Sequence, residues 1–356
     1  IKTVTNKNCL GVQTRKLVCT PIPKVRTPSV EDIRPISLLS PPAKILEKIV
    51  LSSLKSEFIS YYDDAQFGFR PGSSTLCALT CIHEHITSFL DDPSTFGVLV
   101  ITYDYSKAFD RLKSDIIIQR MIDTKFSSKA IQWMSDYLSN RSQCVQIGEA
   151  RSEMVDVTSG VPQGAILDPF LYSFATATHC TICKANRIVK YADDTTLIFP
   201  LWKSHKDNQI KDEHDNLIKW SAKNQLKMNE SKCKALIIRK PNAHLSVDLP
   251  NVTEVKFLNI LGVVFNTKSS WSDHINNVER KCARLLFAFR ILKCFLSKPC
   301  LVFIYYSLVR SVIEYCAPLF VSISVSDSLR LEHIQSHFHK LIYGSLCKDE
   351  CLYSLE

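Results

Sequence analysis

Ile188-Val-Lys-Tyr-Ala-Asp-Asp-Thr-Thr-Leu-Ile-Phe199 is the stretch on which the reading of this chain turns. Two runs rich in Val, Ile, Thr and Phe flank Ala192-Asp193-Asp194, the pattern of a β-hairpin with two acids at its tip. Adjacent carboxylates repel each other and ionise together only when something positive sits between them, most simply a divalent metal. An isolated Asp-Asp equally fits a solvated turn. A second acid with matching presentation therefore decides between the two. Gly97-Val-Leu-Val-Ile-Thr-Tyr-Asp104 supplies it, a nearly continuous apolar run suited to a central strand that ends in an acid. Alone, Asp104 fits a strand-end cap just as well. Side by side in one antiparallel sheet, strands about 4.8 Å apart would bring the three carboxylates within reach of shared ions. Two metals roughly 3.5–4 Å apart use such bridging oxygens for in-line phosphoryl displacement. Hard oxygen ligands and a phosphate-bearing substrate point to Mg²⁺.

The rest of the composition fits a folded, basic protein. The chain has 356 residues, 46% of them apolar, and a net charge of +9, enough for two or three domains or subdomains. That charge favours a polyanionic partner, though solubility alone also accounts for it. Fourteen cysteines lie among apolar residues without a regular framework, as expected of reduced intracellular thiols. No apolar run approaches the roughly 18 residues of a membrane span. Ile1 is not an initiator, so the chain reads as a piece of a longer polypeptide.

Outward from the hairpin, helix and turn signals alternate. Pro41 and Pro42 open a helix whose Leu46, Ile49, Val50, Leu54 and Phe58 recur with a 3.6-residue period. Gln66-Phe-Gly-Phe-Arg-Pro-Gly72 is rich in turn residues and displays Arg70. Ser73 or Ser74 then caps a helix that turns Leu76, Leu79, Ile82, Ile86 and Phe89 to one face. Helical patterns cover about 114–138, and Gln143–Ile147 with Met154–Thr158 form a hairpin. Gly160-Val-Pro-Gln-Gly164 is a glycine-punctuated loop entering a helix with Ile166, Leu167, Phe170, Leu171 and Phe174 inward. A polar amphipathic helix is expected over 204–226, strands near 233–238 and 255–265, and helices over about 271–345. Cys180-Thr-Ile-Cys183 beside His179 lacks a matching second pair for zinc. Cys347 and Cys351, near His333, His337 and His339, are read as buried thiols beside surface histidines.

Arg34-Pro-Ile-Ser, Gln66 to Gly72, Asp104-Tyr-Ser-Lys-Ala-Phe109-Asp110, Gly160 to Gly164, Tyr191-Ala-Asp-Asp194, Asn229-Glu-Ser-Lys-Cys233 and Leu261-Gly262 together resemble the ordered motif series of reverse transcriptases, closest to those of non-LTR (LINE-type) retrotransposons. Each motif is weak alone; seven in order are specific. The resemblance implies an α/β polymerase right hand with fingers, an antiparallel-sheet palm and a helical thumb. It divides the chain into an upstream linker fragment over 1–20, fingers and palm over 21–270 (fingers mainly 21–95 with part of 140–165), and thumb and post-thumb over 271–356.

Residue by residue, the resemblance makes Asp104, Asp193 and Asp194 the ligands of two Mg²⁺, with Mn²⁺ as substitute and Tyr105 adding its carbonyl. Phe109 falls where the family sets a ring beneath the incoming sugar, and Gln163 where a residue touches that sugar. Lys24 and Arg34 match fingers residues that hold the triphosphate, Arg70 a template contact, and Lys232 a lysine that protonates the leaving pyrophosphate. Gly262 matches a primer contact. Arg280, Lys281 and Arg284, with Lys293, lie off an inward stripe of Ile275, Val278, Cys282, Leu285, Phe289 and Leu292, as in a thumb that grips phosphates. Without the family, Lys24, Arg34 and the thumb cations equally fit solvated surface charges, Phe109 a core ring, Gln163 a turn residue, and Arg70 a loop support.

The implied partners are an RNA template, a DNA primer or nicked target DNA, and dNTPs. An endonuclease domain on an upstream part of the same polypeptide, and a place in nucleus and cytoplasmic ribonucleoprotein, also follow from the resemblance. Ser159, Asp168 and the 175–187 segment depart from the family pattern. They leave open a catalytically decayed nucleic-acid-binding remnant, and a group II intron maturase or RNA-dependent RNA polymerase also stands as a rival.

Overall fold

The fold is that of a computed structural model, which describes residues 16–23, 33–58, 63–204, 210–241 and 249–344. In chain order, strands β1 (Lys16–Pro23) and β2 (Ile33–Leu38) precede helices α1 (Pro41–Phe58) and α2 (Thr75–Asp91). Strand β3 (Thr95–Tyr103) leads to helices α3 (Ala108–Arg111), α4 (Ser114–Asp123) and α5 (Ser128–Leu138). Strands β4 (Arg141–Ile147), β5 (Ala150–Arg151) and β6 (Val155–Val157) follow, then helix α6 (Asp168–Thr176). Strands β7 (Arg187–Tyr191) and β8 (Asp194–Trp202), helix α7 (Ile210–Lys223), and strands β9 (Lys234–Arg239), β10 (Thr253–Glu254), β11 (Phe257–Ile260) and β12 (Val263–Asn266) come next. The described residues end in helices α8 (Ser272–Leu292), α9 (Lys298–Ile304), α10 (Ser311–Ile313) and α11 (Val325–Tyr343), with a π-helical turn over Tyr305–Arg310.

The central sheet has the order β10-β9-β3-β8-β7. Its pairs are antiparallel except β10 with β9, which is parallel at the edge. β3 is buried on both faces, and the period-2 alternation divides its side chains between two cores. Val98 and Val100 meet Ala78, Leu79, Ile82 and Ile86 of α2. Leu99, Ile101 and Tyr103 pack on the other side with Leu217 of α7. Each such side chain contributes about 1.5–3 kcal/mol relative to exposure, so this strand is a firm place to hang an acid.

A second sheet runs β2-β1-β4-β5, with β6 also on β4; β1 pairs parallel to β4 and antiparallel to β2. Helices α4, α5 and α6 share a core with Leu54 of α1. The C-terminal helices have their own core of Val278, Cys282, Phe289, Leu301, Tyr305, Val309, Ile334 and Phe338.

Several expectations need correction. Ile49 is not on the inward face of α1 but 58% exposed. The inner position belongs to Glu47, fully buried, which accepts from Tyr137 Oη at 2.8 Å and Ile166 N at 2.7 Å. That polar anchor turns the helix so that Ala43, Glu47 and Leu54 face in. The strand expected over 255–265 is broken. Leu261 (φ +47°) and Gly262 (φ +88°) form a tight turn between β11 and β12, the left-handed pair that a two-residue hairpin requires. Helix α7 ends at Lys223, short of the expected 226, and Ile166 and Leu167 precede α6 instead of lying within it. The stretch expected as a linker over 1–20 is a paired strand from Lys16 onward, while the other helices and strands expected within the described residues are present, including the cap from Ser74, which accepts from Cys77 N. The described cysteines are free thiols, with Cys180 exposed. Lys24, Cys347 and Cys351 lie outside the described residues.

Candidate active site

The register of the sheet brings the acids together. Tyr103 pairs with Thr195 across β3 and β8, so Asp104, one step beyond the end of β3, comes level with Asp194. On the other side of Asp194, Tyr191 closes the β7–β8 hairpin, leaving Ala192 and Asp193 as its turn. Asp104, Asp193 and Asp194 all line one cleft of about 740 Å³, a size ordinary for small-ligand sites. Partial desolvation pushes the carboxyl of Asp194, a residue still exposed at the cleft, up to about 6, with the charges of Asp193 and Asp104 adding to the rise and Lys232 opposing it. Crowded carboxylates of this kind mark a place where positive charge is wanted.

Lys232 supplies part of that charge. Its Nζ lies 3.2 Å from Asp104 Oδ2, and both side chains remain partly exposed. A short helical turn over Glu230–Lys232 aims it there, and Asn229 N donates to the Asp104 carbonyl at 2.8 Å. Among the described residues the cleft lining offers oxygen donors and no thiol or imidazole, the donor set for a hard cation. Among the described residues, no group of three or more His, Cys, Asp or Glu side chains stands so that it could hold a metal ion. The acids thus share the cleft without converging on a single ligating point, and Lys232 partners Asp104.

Of the nucleotide-site candidates, Arg34, Tyr105, Phe109 and Gln163 line the same cleft. Phe109 stacks on Tyr172 with centroids 4.4 Å apart and meets Phe69 edge-on at 6.2 Å. Gln163 donates from Nε2 to Asp110 Oδ1 at 2.9 Å, and its backbone carbonyl accepts from Ser37 N at 2.7 Å. That backbone bond ties the glycine loop to β2, from which exposed Arg34 also opens onto the cleft. Gly160 (φ +83°) allows the loop to fold against Asp110, whose carbonyl would lie 2.7 Å from an added β-carbon. Tyr105 is buried, its hydroxyl 3.2 Å from Ser221 Oγ.

Other candidates lie further off. Arg70 pairs with Asp64 at 3.4 Å and lines a neighbouring cavity with Phe69 and Lys55. Gly262 sits under the Tyr315 ring, whose hydroxyl donates to Leu261 O at 2.6 Å. The Leu258–Leu261 edge of that hairpin shares a smaller cavity with Asp104, Asp194 and Lys232. Arg280, Lys281 and Arg284 are exposed on α8, away from its buried stripe.

Two residues with a stake in the cleft have roles that the sequence pattern did not assign. Asp110 holds Gln163. Asp168 is 6% exposed with Oδ1 unpartnered, its carboxyl pushed up to about 7 by burial and by Asp110 and Glu47. The departure of Asp168 from the family pattern was the available signal for the second. Ser159, another departure, donates to the Asp110 carbonyl at 3.3 Å.

A family model described as reverse transcriptase (RNA-dependent DNA polymerase) matches residues 22–296. The probable RNA-directed DNA polymerase from transposon BS of Drosophila melanogaster is 28% identical over 272 residues, 71% of this chain and 29% of that protein. The RNA-directed DNA polymerase from mobile element jockey of the same fly is 25% identical over 344 residues, 90% of this chain and 36% of that one. The chain therefore spans about a third of the length of these curated relatives. Among solved structures, telomerase from Candida tropicalis in complex with the TWJ fragment of telomeric RNA aligns with a TM-score of 0.50 at 14% identity, covering 93% of this chain and 55% of the telomerase. At that identity the likeness concerns the fold alone.

Proposed function

Since this chain belongs to the reverse transcriptase family, we propose that it extends a primer 3′-hydroxyl with deoxynucleotides on an RNA template, as part of a non-LTR retrotransposon polymerase. The observation that carries the reading is the single cleft shared by Asp104, Asp193 and Asp194, with Phe109, Gln163 and Arg34 on its walls. The fingers would comprise the β2-β1-β4 sheet and its helices, the palm the central sheet, and the thumb the helices from α8 onward.

Asp104, Asp193 and Asp194, with the Tyr105 carbonyl, would hold divalent cations, two Mg²⁺ or Mn²⁺ in their place, only once the carboxylates turn from their present, non-converging placement toward a common point. Such ions activate the attacking hydroxyl and stabilise the leaving oxygen when bound. The chain's own groups do the rest. Arg34 grips triphosphate oxygens with a planar guanidinium; Lys24 shares this role in the proposal. Phe109, braced by Tyr172, closes the space a 2′-hydroxyl would need. Gln163, held by Asp110, fixes the sugar. Lys232 gives a proton to the departing pyrophosphate, a general-acid role open to an ammonium poised at the carboxylates. Arg70 and Gly262 would contact template and primer, while Arg280, Lys281 and Arg284 hold the duplex by its phosphates.

An RNA template, a DNA primer or nicked target, dNTPs, and an endonuclease domain elsewhere in the polypeptide complete the proposal. So does a place in nucleus and cytoplasmic ribonucleoprotein; no described helix is long and apolar enough to cross a membrane.

Primer extension on poly(rA)/oligo(dT) with Mg²⁺ tests the reading. Synthesis by the natural chain, abolished in Asp193→Ala and Asp194→Ala with duplex binding kept, is the expected result. Duplex binding without synthesis in the natural chain would instead identify a decayed remnant, and turnover retained in either variant would remove that acid from the catalytic set.

A further inference from the structure

The turn that bears Asp193 is gripped from outside its hairpin by one side chain. Gln66 belongs to a segment running parallel to β7: Lys190 N donates to Ala65 O at 2.7 Å and Phe67 N to Lys190 O at 2.8 Å. From there the carboxamide reaches Ala192. Gln66 Oε1 accepts from Ala192 N at 3.0 Å and from Gly68 N at 2.9 Å, while Nε2 donates to Ala192 O at 3.3 Å. Gln66 is 4% exposed, so water competes poorly for these bonds.

The chemistry is selective. Ala192 lies beyond the last ladder pair, Tyr191 with Asp194, and needs both a donor and an acceptor from elsewhere. A single primary amide supplies both; a carboxylate has no hydrogen to give, and asparagine is a methylene shorter. Close approach is possible because residue 68 is glycine: a β-carbon there would fall 2.3 Å from Ala192 N. Ala192 also holds φ +55°, a conformation that a residue with a β-carbon keeps only when its surroundings impose it.

We propose that Gln66 is a positioning residue that locks the Ala192–Asp193 turn and thereby sets the aim of the Asp193 and Asp194 carboxylates. The proposal rests on the polymerase reading above for its kinetic consequence. The same segment continues into Phe69, which meets Phe109 at the nucleotide side of the cleft. Gln66 thus joins the floor of the nucleotide pocket to the catalytic turn through a short run of chain.

Gln66→Met keeps the length and apolar stem while deleting all three bonds; Gln66→Glu keeps the acceptor bonds and deletes the donor. A displacement near 1 Å at a reacting centre costs up to about a hundredfold in rate. Gln66→Met is therefore expected to lower kcat for primer extension by roughly ten- to a hundredfold, with Gln66→Glu between it and the natural chain. KM for dNTP and Kd for primer–template should stay within about twofold, the pattern of a group that acts on the chemical step. Hydrogen exchange should quicken in a peptide covering 188–196 and stay unchanged over 97–103.

Unchanged turnover in Gln66→Met overturns the proposal. So does a loss of turnover accompanied by a lower Tm and faster exchange throughout the sheet, which would make Gln66 a general brace. If the natural chain makes no product, the polymerase reading fails by itself. The exchange arm then still decides the lock: local quickening upholds it, and unchanged exchange over 188–196 overturns it.

Discussion

Changing Asp63 to Asn removes the carboxylate that pairs with the Lys190 ammonium buried in the β7–β8 hairpin, and leaves the shape of the site almost unchanged. Lys190 is 1% exposed; its Nζ also donates to His179 O at 2.9 Å and to Thr176 O at 3.2 Å. Burial pulls the ammonium pKa down from 10.5, and Asp63 works against that pull. Stranding a buried charge costs about 3–5 kcal/mol. A ceiling applies, because the lysine can instead shed its proton. From 10.5 to pH 7 that takes about 5 kcal/mol, at ~1.4 kcal/mol per pH unit, and to pH 9 only about 2.

The sign follows from proton binding. With the folded-state pKa depressed, the unfolded chain binds more protons below 10.5, so the penalty is greatest at neutral pH and fades as pH rises. Urea unfolding at pH 7, 8 and 9, with the slope m checked for constancy, should give a loss of about 3–5 kcal/mol at pH 7 that shrinks to about 2 or less at pH 9. Lys190→Met should cost less than Asp63→Asn at pH 7, since the Asp63 side chain, 13% exposed, has some access to water. A destabilisation that is flat across this range, or the reverse order of the two variants, would refute the account of a buried pair held by Asp63.

Other outcomes follow from the cleft and its surroundings. Asp168, raised from 3.8 to about 7, favours the folded state less as pH climbs through that window. Asp168→Asn should therefore stabilise the protein by up to ~4 kcal/mol at pH 8 and change little below pH 4, as read by denaturant melts at both. A gain that does not grow with pH would show the carboxyl to be better solvated than its burial implies. Phe109→Val should raise the ribonucleotide-to-deoxynucleotide ratio of kcat/KM by roughly tenfold or more in primer extension; no gain would return Phe109 to the role of a core ring on Tyr172. Replacing Arg280, Lys281 and Arg284 by Ala should flatten the dependence of log duplex affinity on log salt by roughly one for each phosphate no longer neutralised. An unaltered slope would mark them as solvated surface charge.

The hairpin at 187–202, the buried strand before Asp104, the glycine loop and the C-terminal helical stripe were legible because each announces itself through a short period or a few turn residues. Local pattern fixes alternation along β3 and the stripe of α8, since side-chain direction repeats every 2 or 3.6 residues whatever the neighbours are. The set of acids was legible for the same reason: strand ends and turns are where such patterns stop. What periodicity could not supply was any partner distant in sequence. Ile49 looked inward on the helical period, yet Glu47 claims the inner face because Tyr137 and the Ile166 amide meet it there. Nothing in the pattern around Lys190 names its partners, and only the fold reveals Asp63 and two carbonyls around it. The break at Leu261 and Gly262 depends on backbone angles and on Tyr315 packed against the turn. Local propensity wrote the elements, the acids and the family likeness into the chain. Burial and long-range hydrogen bonding decided which way α1 faces, what neutralises Lys190 and what holds Ala192, because those energies arise only when segments far apart in sequence exclude water together.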